Sequence, residues 1–529
     1  MSIGSSSNLS YEEFDHLEDE RCKRIEAERK LAAFERKLAT VQPLLDLFAK
    51  NQKTRGTRSF SQNLDCMILR GLADGRSAAA IRDFFVNLSD QFAFLLKESD
   101  ETEYVVPSVT YIERLRDCLP EFNQAKLEQF VVDAESLTIL TDDSPAVNQG
   151  SNYTSLGLID ETGCYVNLGF SQNNEKTAEG IARTMNNVLE RSTLKPEILS
   201  KLNNEVTIMS DSAHAQLAAN RLFLAQTTEK DHNSAICLMH TTANCERMAH
   251  MCLDSKFQDG LHSLKLLFGA RNNSGFHKVS LKKKLNDYLG LQNRSVFRTD
   301  LGARFAVHSS NARAMILYRD EVLSALNEAK KDEKHSCRVR KLMTDEWESF
   351  AFEAGVFALF FFSVLAPFHS TISKTIPWRT GKAAILNARS HLLALEDPAT
   401  NSIEKLIEIS NSEVVGELTK RMIPKLQSVH LLLAHSDLVK VEMKLKEMAK
   451  KALVKFEKDT SKLLTQEISE LSIVPLTNRR AESSFSTFKW HEKKFESISK
   501  PMLVNITMAK INHLSSFISE MVGIKILLQ

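Results

Sequence analysis

The stretch SLTILTDDSPAVNQGSNYTSLGLIDETGCYVNLGFS, residues 136–171, decides the fold. It contains three short segments that are rich in β-branched and aromatic residues and bounded by turn residues, which is typical of strands. A helical segment (177–191), a fourth strand (204–212) and a fifth strand (234–240) follow it. The order of three strands, a helix and further strands predicts a mixed α/β sheet within residues 131–250.

The segments around this sheet predict helices. Residues 1–50 are dense in Glu, Lys, Arg and Ala with apolar residues at 3-4 spacing, so they predict an amphipathic, coiled-coil-like helix that either pairs with a second chain or packs on its own domain. Residues 60–130 predict helices punctuated at Gly75, with Ser108 as an N-cap. This region is either a helix-turn-helix-like DNA-binding unit or a small bundle. Residues 251–470 predict an all-helical block, and residues 471–529 return to the sheet.

Composition excludes several classes of protein. The chain has 529 residues, a formal net charge of +1 and eight scattered cysteines, so any nucleic-acid surface must be a local patch, and a reduced, intracellular protein is expected. The most apolar run, residues 354–368, ends near a proline and falls short of the roughly 20 residues that span a bilayer. We therefore interpret it as a buried helix and expect no membrane partner.

Three acids occupy positions that suit a metal site. Asp142 follows the first strand, Asp211 follows the fourth, and Glu482 lies at the start of a late helix. If the two strands are parallel neighbours, their carboxyl ends deliver both aspartates to one edge of the sheet. Carboxylate oxygens suit Mg²⁺, and two such ions about 4 Å apart catalyse phosphodiester chemistry.

The same order of elements carries a family resemblance. The sequence resembles the RNase H-fold DDE transposases, most closely the hAT-like group, whose catalytic core is interrupted by an α-helical insertion. The resemblance extends over about residues 106–513. Its most specific pieces are SDSAHAQLAAN (210–220), ICLMHTTANCE (236–246), RTDLGARFAVHSSNARA (298–314) and NRRAESSFSTF (478–488).

The resemblance implies roles for individual residues. It implies Asp142, Asp211 and Glu482 as a catalytic triad that binds Mg²⁺, with Mn²⁺ as a substitute. It implies that Cys237 and His240, its Cys-x2-His element, lie near the active site. The tryptophan often found near Arg298 in the family is absent here, and so is an N-terminal zinc-finger pattern.

Alternatives remain open at two of these positions. Asp143 is adjacent to Asp142 and could replace it as the first acid; Asp160 is a third contender, disfavoured because it sits in a turn. Cys237 and His240 also allow a zinc site if Cys245 and His250 complete it, since structural zinc takes four ligands.

Basic residues near these motifs predict DNA contacts. Residues 277–305 contain seven Lys and Arg against two Asp in a nearly neutral chain. The predicted DNA-binding residues are Lys282, Lys283, Lys284, Arg298, Arg304, Arg479, Arg480 and Lys489. Trp490 is interpreted as a core residue.

Together these features predict a transposase-like enzyme that cleaves DNA and transfers strands at an Asp-Asp-Glu triad. Its expected partners are double-stranded DNA and further copies of itself, and its expected location is the nucleus. One alternative is a domesticated, non-catalytic descendant that binds DNA or chromatin. Another is a nuclease without strand transfer, which has the same site chemistry.

Overall fold

The computed structural model describes residues 62–95, 107–145, 152–211, 213–227, 233–268, 276–291, 296–297, 306–327, 334–374, 376–470, 474–495 and 498–520. Residues 1–50, Arg298 and Arg304, for which predictions were made, lie outside these ranges. The described chain combines one mixed sheet with a larger number of helices. The predicted α/β plus α class is therefore confirmed.

The first helices precede the sheet. They are α1 (Gln62–Ala73), α2 (Ala78–Leu95), α3 (Val109–Arg116) and α4 (Leu119–Asp133). The predicted boundary at Gly75 is confirmed, because Gly75 turns the chain between α1 and α2 with a φ of +78° that favours glycine. The predicted cap is also confirmed, since the Ser108 hydroxyl accepts the Tyr111 N–H at 3.2 Å at the start of α3.

The sheet has five strands in the order β3-β2-β1-β4-β5. The strands are β1 (Leu137–Pro145), β2 (Asn152–Asp160), β3 (Tyr165–Asn173), β4 (Ile208–Ser210) and β5 (Ser234–Ile236). β1 to β3 form an antiparallel meander, whereas β4 pairs in parallel with both β1 and β5. The parallel pairing of β1 and β4, on which the predicted metal site depends, is therefore present.

Different helices cover the two faces of the sheet. On one face, Ile139 and Ile208 share a core with α5 (Ala178–Glu190) and α7 (His214–Thr227), while the short helix α6 (Lys195–Ser200) leads into β4. On the other face, Phe170 stacks on Phe488 and Tyr153 packs against it at a tilt, with ring centroids 4.9 and 4.8 Å from that of Phe488. Phe488 belongs to α21 (Arg479–Lys494), so this late helix lies across the meander, as predicted for the end of the chain.

The last described helix joins the first ones. In α22 (Lys500–Ile511), Ile506 and Ala509 share a hydrophobic core with Ile68 and Phe122 from α1 and α4. Lys510 pairs with Asp74 at 3.1 Å in the turn after α1. The region before the sheet and the end of the chain therefore pack as one unit around the sheet.

A helical block separates β5 from α21. Among its described residues it contains helices and no strand, as predicted, and its core continues into α8 (Leu238–His250). Its helices are α9 (Ser255–Phe268), α10 (Phe276–Tyr288), α11 (Val307–Leu317), α12 (Arg319–Asn327), α13 (Lys334–Thr344), α14 (Trp347–Phe360), α15 (Ala366–Ile372), α16 (Trp378–Glu396), α17 (Ser402–Ser410), α18 (Glu417–Lys420), α19 (Ile423–His430) and α20 (His435–Thr465).

One helical stretch of the described chain, Trp347–Ile372, has the length and apolarity that could cross a membrane. It comprises α14, a π-helical turn (Phe361–Leu365) and α15. However, 83% of its apolar window is buried inside the fold, as expected for the core helix of a helical bundle. The interpretation of this run as a buried helix is confirmed.

Candidate functional site

The two aspartates come from neighbouring parallel strands, Asp142 from inside β1 and Asp211 from one residue after β4. Ile139 pairs with Ile208 and Leu140 with Met209, so the same register places Asp142 beside Asp211. Side chains alternate along strands, so Asp142 belongs to the face on which Leu140 packs, under α8.

The position of Asp142 differs in one respect from the prediction. Asp142 does not follow β1 but lies inside it, opposite Ser155, and only 4% of it is exposed. The strand continues to Pro145 because β2 pairs with it along its whole length. Asp211 lies one residue beyond β4, where its carboxylate accepts the Ala213 N–H at 3.1 Å.

A polar network connects the Asp142 face to α21. Asn167 donates to the Ser155 hydroxyl at 2.8 Å and to the Tyr165 hydroxyl at 3.2 Å, and the Tyr165 and Ser484 hydroxyls lie 3.2 Å apart. Burial chiefly raises the pKa of Tyr165, and the negative charge of Asp142 adds to this rise. Asp142 therefore lies near the point where α21 crosses the sheet.

A glycine makes room for this network. A Cβ atom on Gly157 would lie 2.4 Å from the Tyr165 ring, so only glycine lets the ring lie flat across β2. The ring then carries its hydroxyl to the centre of the sheet, where Ser484 meets it.

Asp143, the first alternative to Asp142 as an acid of the triad, has surroundings that differ from those of Asp142. Asp143 points to the opposite face of the sheet, where it accepts the Thr154 hydroxyl at 3.0 Å. Burial raises the pKa of Asp143, the charge of Asp211 raises it further, and bonds from Thr154 and Asn173 oppose the rise. Asp143 is therefore close enough to Asp211 to remain an alternative.

Asp160 has a structural role in a turn. It pairs with Leu137, so it lies at the opposite end of β1 from the other aspartates. Its carboxylate accepts the N–H of Thr162 at 3.0 Å, the hydroxyl of Thr162 at 2.7 Å and the N–H of Cys164 at 2.8 Å. These bonds hold the turn between β2 and β3.

Glu482 lies with Cys237 and His240. Its Oε1 atom is 3.6 Å from His240 Nε2, and one ligand atom from each of the three residues falls within a mutual distance of 4.8 Å. The chain before α21 also meets the start of α8, because Leu238 donates its N–H to the Leu476 carbonyl at 3.0 Å. Asn478 donates its N–H to Cys237 Sγ at 3.3 Å.

The Cys237 thiol is fully buried between these segments. Burial is the main reason why the pKa of the thiol rises to about 12, and the charge of Glu482 adds to it. The backbone N–H groups of Asn478, His240 and Met239 act in the opposite direction because they favour the thiolate.

The three predicted carboxylates do not form one compact group. Within the part of the chain that the structure describes, the Cys237–His240–Glu482 set is the group of three metal-binding side chains within 4.8 Å of one another. Asp142 and Asp211 belong to the neighbouring strands β1 and β4 and their ends, while Glu482 belongs to that other set. The resemblance implied that Cys237 and His240 lie near the active site, but not that they form a group with Glu482, which arises because the segment before α21 meets the start of α8.

The proposed completion of a zinc site by Cys245 and His250 is wrong. Cys245 Sγ donates to the Ala452 carbonyl at 3.4 Å inside the helical block. The His250 ring stacks on His308 with centroids 4.0 Å apart. Both side chains point away from the Cys237 group because they lie on the face of α8 that packs against the helical block.

The predicted DNA-binding residues fall into two places. Arg479 and Arg480 are exposed at the start of α21, and Lys489 on the same helix donates to the Ser144 hydroxyl at 2.8 Å, next to the aspartate edge. Lys282, Lys283 and Lys284 lie on α10 in the helical block, where Lys283 is exposed and the other two are half-buried.

A basic groove along α21 was not predicted. Two adjoining cavities of about 530 and 450 Å³ share Arg480 and Ser483 in their linings, and neither is lined by an acidic residue. Their other basic lining residues are Lys126, Lys374, Arg479, Lys510 and His513. Arg479 and Arg480 were predicted to bind DNA, but Lys126, Lys374, Lys510 and His513 come from separate elements, so the sequence did not indicate that they share a groove with the arginines.

The interpretation of Trp490 as a core residue is wrong. Trp490 is 51% exposed, and Lys494 Nζ lies 4.4 Å from the centroid of its ring. The buried face of α21 is formed instead by Phe485 and Phe488. Trp490 lies two positions after Phe488. Residues two apart in a helix do not share a face, so Trp490 points away from the sheet when Phe488 points toward it.

The donor atoms decide how well each part of the site fits Mg²⁺. Asp142 and Asp211 offer only carboxylate oxygens at one edge of the sheet, which are the ligands that Mg²⁺ takes. Glu482 shares its position with a sulfur and an imidazole nitrogen, which suit softer ions. The two aspartates therefore fit Mg²⁺, whereas the Glu482 set does not.

The sequence was compared with known proteins. No family model matches it, and a search of the curated proteins finds no match either.

Proposed function

We propose that this protein is a Mg²⁺-dependent polynucleotidyl transferase of the hAT-like DDE type, which cleaves double-stranded DNA at element ends and joins it to a target. The observation that carries the proposal is the parallel pairing of β1 and β4, which brings Asp142, inside β1, and Asp211, one residue after β4, to neighbouring strands of the sheet. Parallel strands present their carboxyl ends at one edge, where sites in α/β sheets occur.

The topology supports an RNase H-like core as part of this proposal. Three antiparallel strands, the helix α5 and two parallel strands follow in sequence, and the strand order is β3-β2-β1-β4-β5. The helical block then separates this sheet from α21, which returns to it with Glu482. A helical insertion ahead of the glutamate helix is what the resemblance implies.

In this proposal, the acids would bind the metal ion and the basic residues would bind the DNA. Asp142 and Asp211 would hold the ion, with Glu482 as the third acid of the triad. Bound Mg²⁺ would activate water or a 3′-hydroxyl and stabilise the leaving oxygen of the phosphodiester. Lys489, beside Ser144, and Arg480, in the basic groove, would bind phosphate oxygens on either side of the scissile bond.

Partners and location follow from this function. Element ends and target DNA are the proposed nucleic-acid partners, and pairing of two ends calls for a homo-oligomer. A DNA-joining enzyme of a nucleated cell acts in the nucleus. These points depend on the enzymatic proposal and fail with it.

The decisive experiment uses DNA that carries the inverted repeats flanking the coding sequence in its source genome. We expect the full-length protein to nick these ends with Mg²⁺ or Mn²⁺, and Asp211→Asn to lose nicking while it keeps its fold and its DNA binding. Joined products in a target plasmid would distinguish a transferase from a simple nuclease. Wild-type protein that binds the repeats but never cuts them would refute the enzymatic proposal.

A second function, that of a non-catalytic descendant that binds DNA, is favoured by one observation. Glu482 is placed with Cys237 and His240 rather than in one compact group with the two aspartates. In such a protein, Asp211→Asn would change neither DNA binding nor any cellular effect of the protein. The nicking assay with its binding control therefore separates the two functions.

A further inference from the structure

Three donor atoms of different kinds converge where α8 begins beside α21. Cys237 Sγ, His240 and Glu482 each offer a ligand atom within a mutual distance of 4.8 Å. A tetrahedral zinc ion with bonds of about 2.1 Å to nitrogen and oxygen would separate those two atoms by about 3.4 Å. The observed distance from His240 Nε2 to Glu482 Oε1 is 3.6 Å, so an ion fits with little movement.

The surroundings of these atoms also suggest a missing ligand. Glu482 Oε1 is buried and has no hydrogen-bond partner in the described structure. One turn earlier, Asn478 is fully buried, and neither polar atom of its side-chain amide has a partner there. Buried polar atoms are normally paired, so an ion with a bound water would account for those that are not.

The sulfur atom lies among groups that would stabilise a metal-bound thiolate. Asn478 donates its backbone N–H to Cys237 Sγ at 3.3 Å, and Cys237 occupies the N-cap of α8, where the helix dipole favours negative charge. Thiolate is the form of cysteine that binds metals. N–H donors around a ligating sulfur are an outer-shell feature of metal sites in general.

We propose that Cys237, His240 and Glu482 form a second metal site, specific for Zn²⁺ or a similar borderline ion, in which water completes the coordination. Thiolate and imidazole suit such ions, whereas Mg²⁺ rejects sulfur. Binding releases the thiol proton to solvent. Since Glu482 is also the third acid of the proposed triad, Zn²⁺ at this site inhibits DNA cleavage; this last consequence rests on the proposed function.

The binding test does not depend on activity. The full chain is freed of metal with a chelator and titrated with Zn²⁺ by calorimetry, and with Co²⁺ while thiolate-to-cobalt charge-transfer absorption is recorded. We expect one ion per chain and a clear absorption band. His240→Asn should weaken Zn²⁺ binding more than about 100-fold, beyond the loss typical of an outer-shell partner.

Two further variants make the result specific. Cys164→Ser, which removes an exposed thiol outside the group, should bind Zn²⁺ as wild type does. Cys237→Ser should abolish the absorption band, but Cys237 is fully buried and its loss endangers the fold, so the half-buried His240 decides the test. Absence of the band in folded wild type, or unchanged affinity in His240→Asn, would overturn the site.

Cleavage assays then separate the two proposals. If the wild type cuts DNA with Mg²⁺ and stoichiometric Zn²⁺ inhibits it, while His240→Asn resists inhibition, both proposals hold. If cleavage continues unchanged with Zn²⁺ bound, the inhibitory role is refuted. If Zn²⁺ binds with the thiolate band and no DNA is cut under any condition, the metal site stands and the proposed function fails.

Discussion

The buried acids of the helical block and those of the sheet site differ in how their oxygens are used. Glu246 in α8 accepts the N–H of Ala306 at 2.8 Å and both the N–H and the hydroxyl of Ser309 at 3.0 and 2.7 Å. Glu482 in α21 instead keeps a buried oxygen that has no hydrogen-bond partner among the described residues. A buried acid with a full set of donors maintains the fold, whereas one without them indicates a site that awaits a ligand.

Two neighbouring acids of β1 differ in the face of the sheet to which they point, and this difference gives the prediction with the largest effect. Asp143 accepts a hydrogen bond from Thr154 on one face of the sheet, whereas Asp142 belongs to the face that α21 crosses. We expect Asp142→Asn to reduce Mg²⁺-dependent nicking at least about 1000-fold, about 4 kcal/mol of transition-state stabilisation, because it removes an ion ligand. Asp143→Asn should reduce it less than about tenfold.

Initial rates of plasmid nicking measure this effect, and thermal unfolding checks that each variant is folded. Asp160→Asn is the matched control, because Asp160 lies on the same sheet but at its other end, in a turn. If Asp143→Asn were the inactive variant and Asp142→Asn the active one, the first acid of the triad would be Asp143.

The second prediction concerns Glu246, the buried acid whose two carboxylate oxygens both accept hydrogen bonds. Glu246→Ala leaves the donors of Ala306 and Ser309 without an acceptor at the start of α11. Ala306 also has a left-handed φ of +58°, which costs an alanine about 1 kcal/mol and is held in place by its bond to Glu246. We expect Glu246→Ala to lower the free energy of unfolding by about 4 kcal/mol.

Chemical denaturation measures the loss, with Glu348→Ala, which removes an exposed glutamate of α14, as control. Below its lowered melting temperature, Glu246→Ala should still bind DNA and bind Zn²⁺ as wild type does. A selective loss of Zn²⁺ binding without a loss of stability would contradict the division between the two kinds of acid.

Much of the fold is predictable because its signals are local. The turn at Gly75 and the cap at Ser108 need only their own neighbours, and the strand segments follow from alternation over a few residues. The parallel pairing that brings Asp142 beside Asp211 follows from the chain order of strands and helix. The turn and the cap do not depend on contacts between distant segments, and the strand pairing follows from the order of elements along the chain.

The features that were missed depend on such contacts. β1 continues past Asp142 to Pro145 because β2 pairs with it there, and a partner strand is invisible in a local window. Glu482 meets Cys237 only because the segment before α21 packs on the start of α8. Trp490 is apolar in composition, yet the side of α21 that it occupies is not the side that faces the sheet.

Asp65 is an intermediate case, a buried acid with one strong donor, and it gives a pH prediction. The Tyr111 hydroxyl donates to it at 2.5 Å, but burial outweighs this bond and raises the pKa of Asp65 from 3.8 to about 6. The folded state therefore binds this proton more tightly than the unfolded state does. The contribution of Asp65 to stability is fully present below pH 3.8 and is lost as the pH rises through about 6.

Comparison with Asp65→Asn isolates this effect from that of other acids. At low pH the two proteins should differ little in stability, since the amide and the protonated acid are both neutral. Above the raised pKa, the wild type should be less stable than the variant by about 3 kcal/mol, because a charge is then buried. Denaturant midpoints across this range measure the difference, and a constant difference at all pH values would contradict the raised pKa.

The smallest expected effect tests whether the basic groove belongs to the same site as the acids. Arg480 is exposed, lines both cavities and lies two positions before Glu482. Its guanidinium group is therefore well placed for one contact with a DNA phosphate. Arg480→Ala should weaken DNA binding by about 1 kcal/mol and reduce the dependence of log affinity on log salt by about 1. Fluorescence anisotropy with one duplex at several salt concentrations measures both quantities.

The matched control is Lys440→Ala, which removes an equally accessible cation from α20, away from the groove. A protein whose groove binds DNA should respond to the first substitution and not to the second, because only contacts with phosphates release counterions from DNA. If both variants keep the wild-type salt dependence, the groove carries no DNA strand. The acids at the sheet edge would then need a different route for their substrate, such as the lysines of α10.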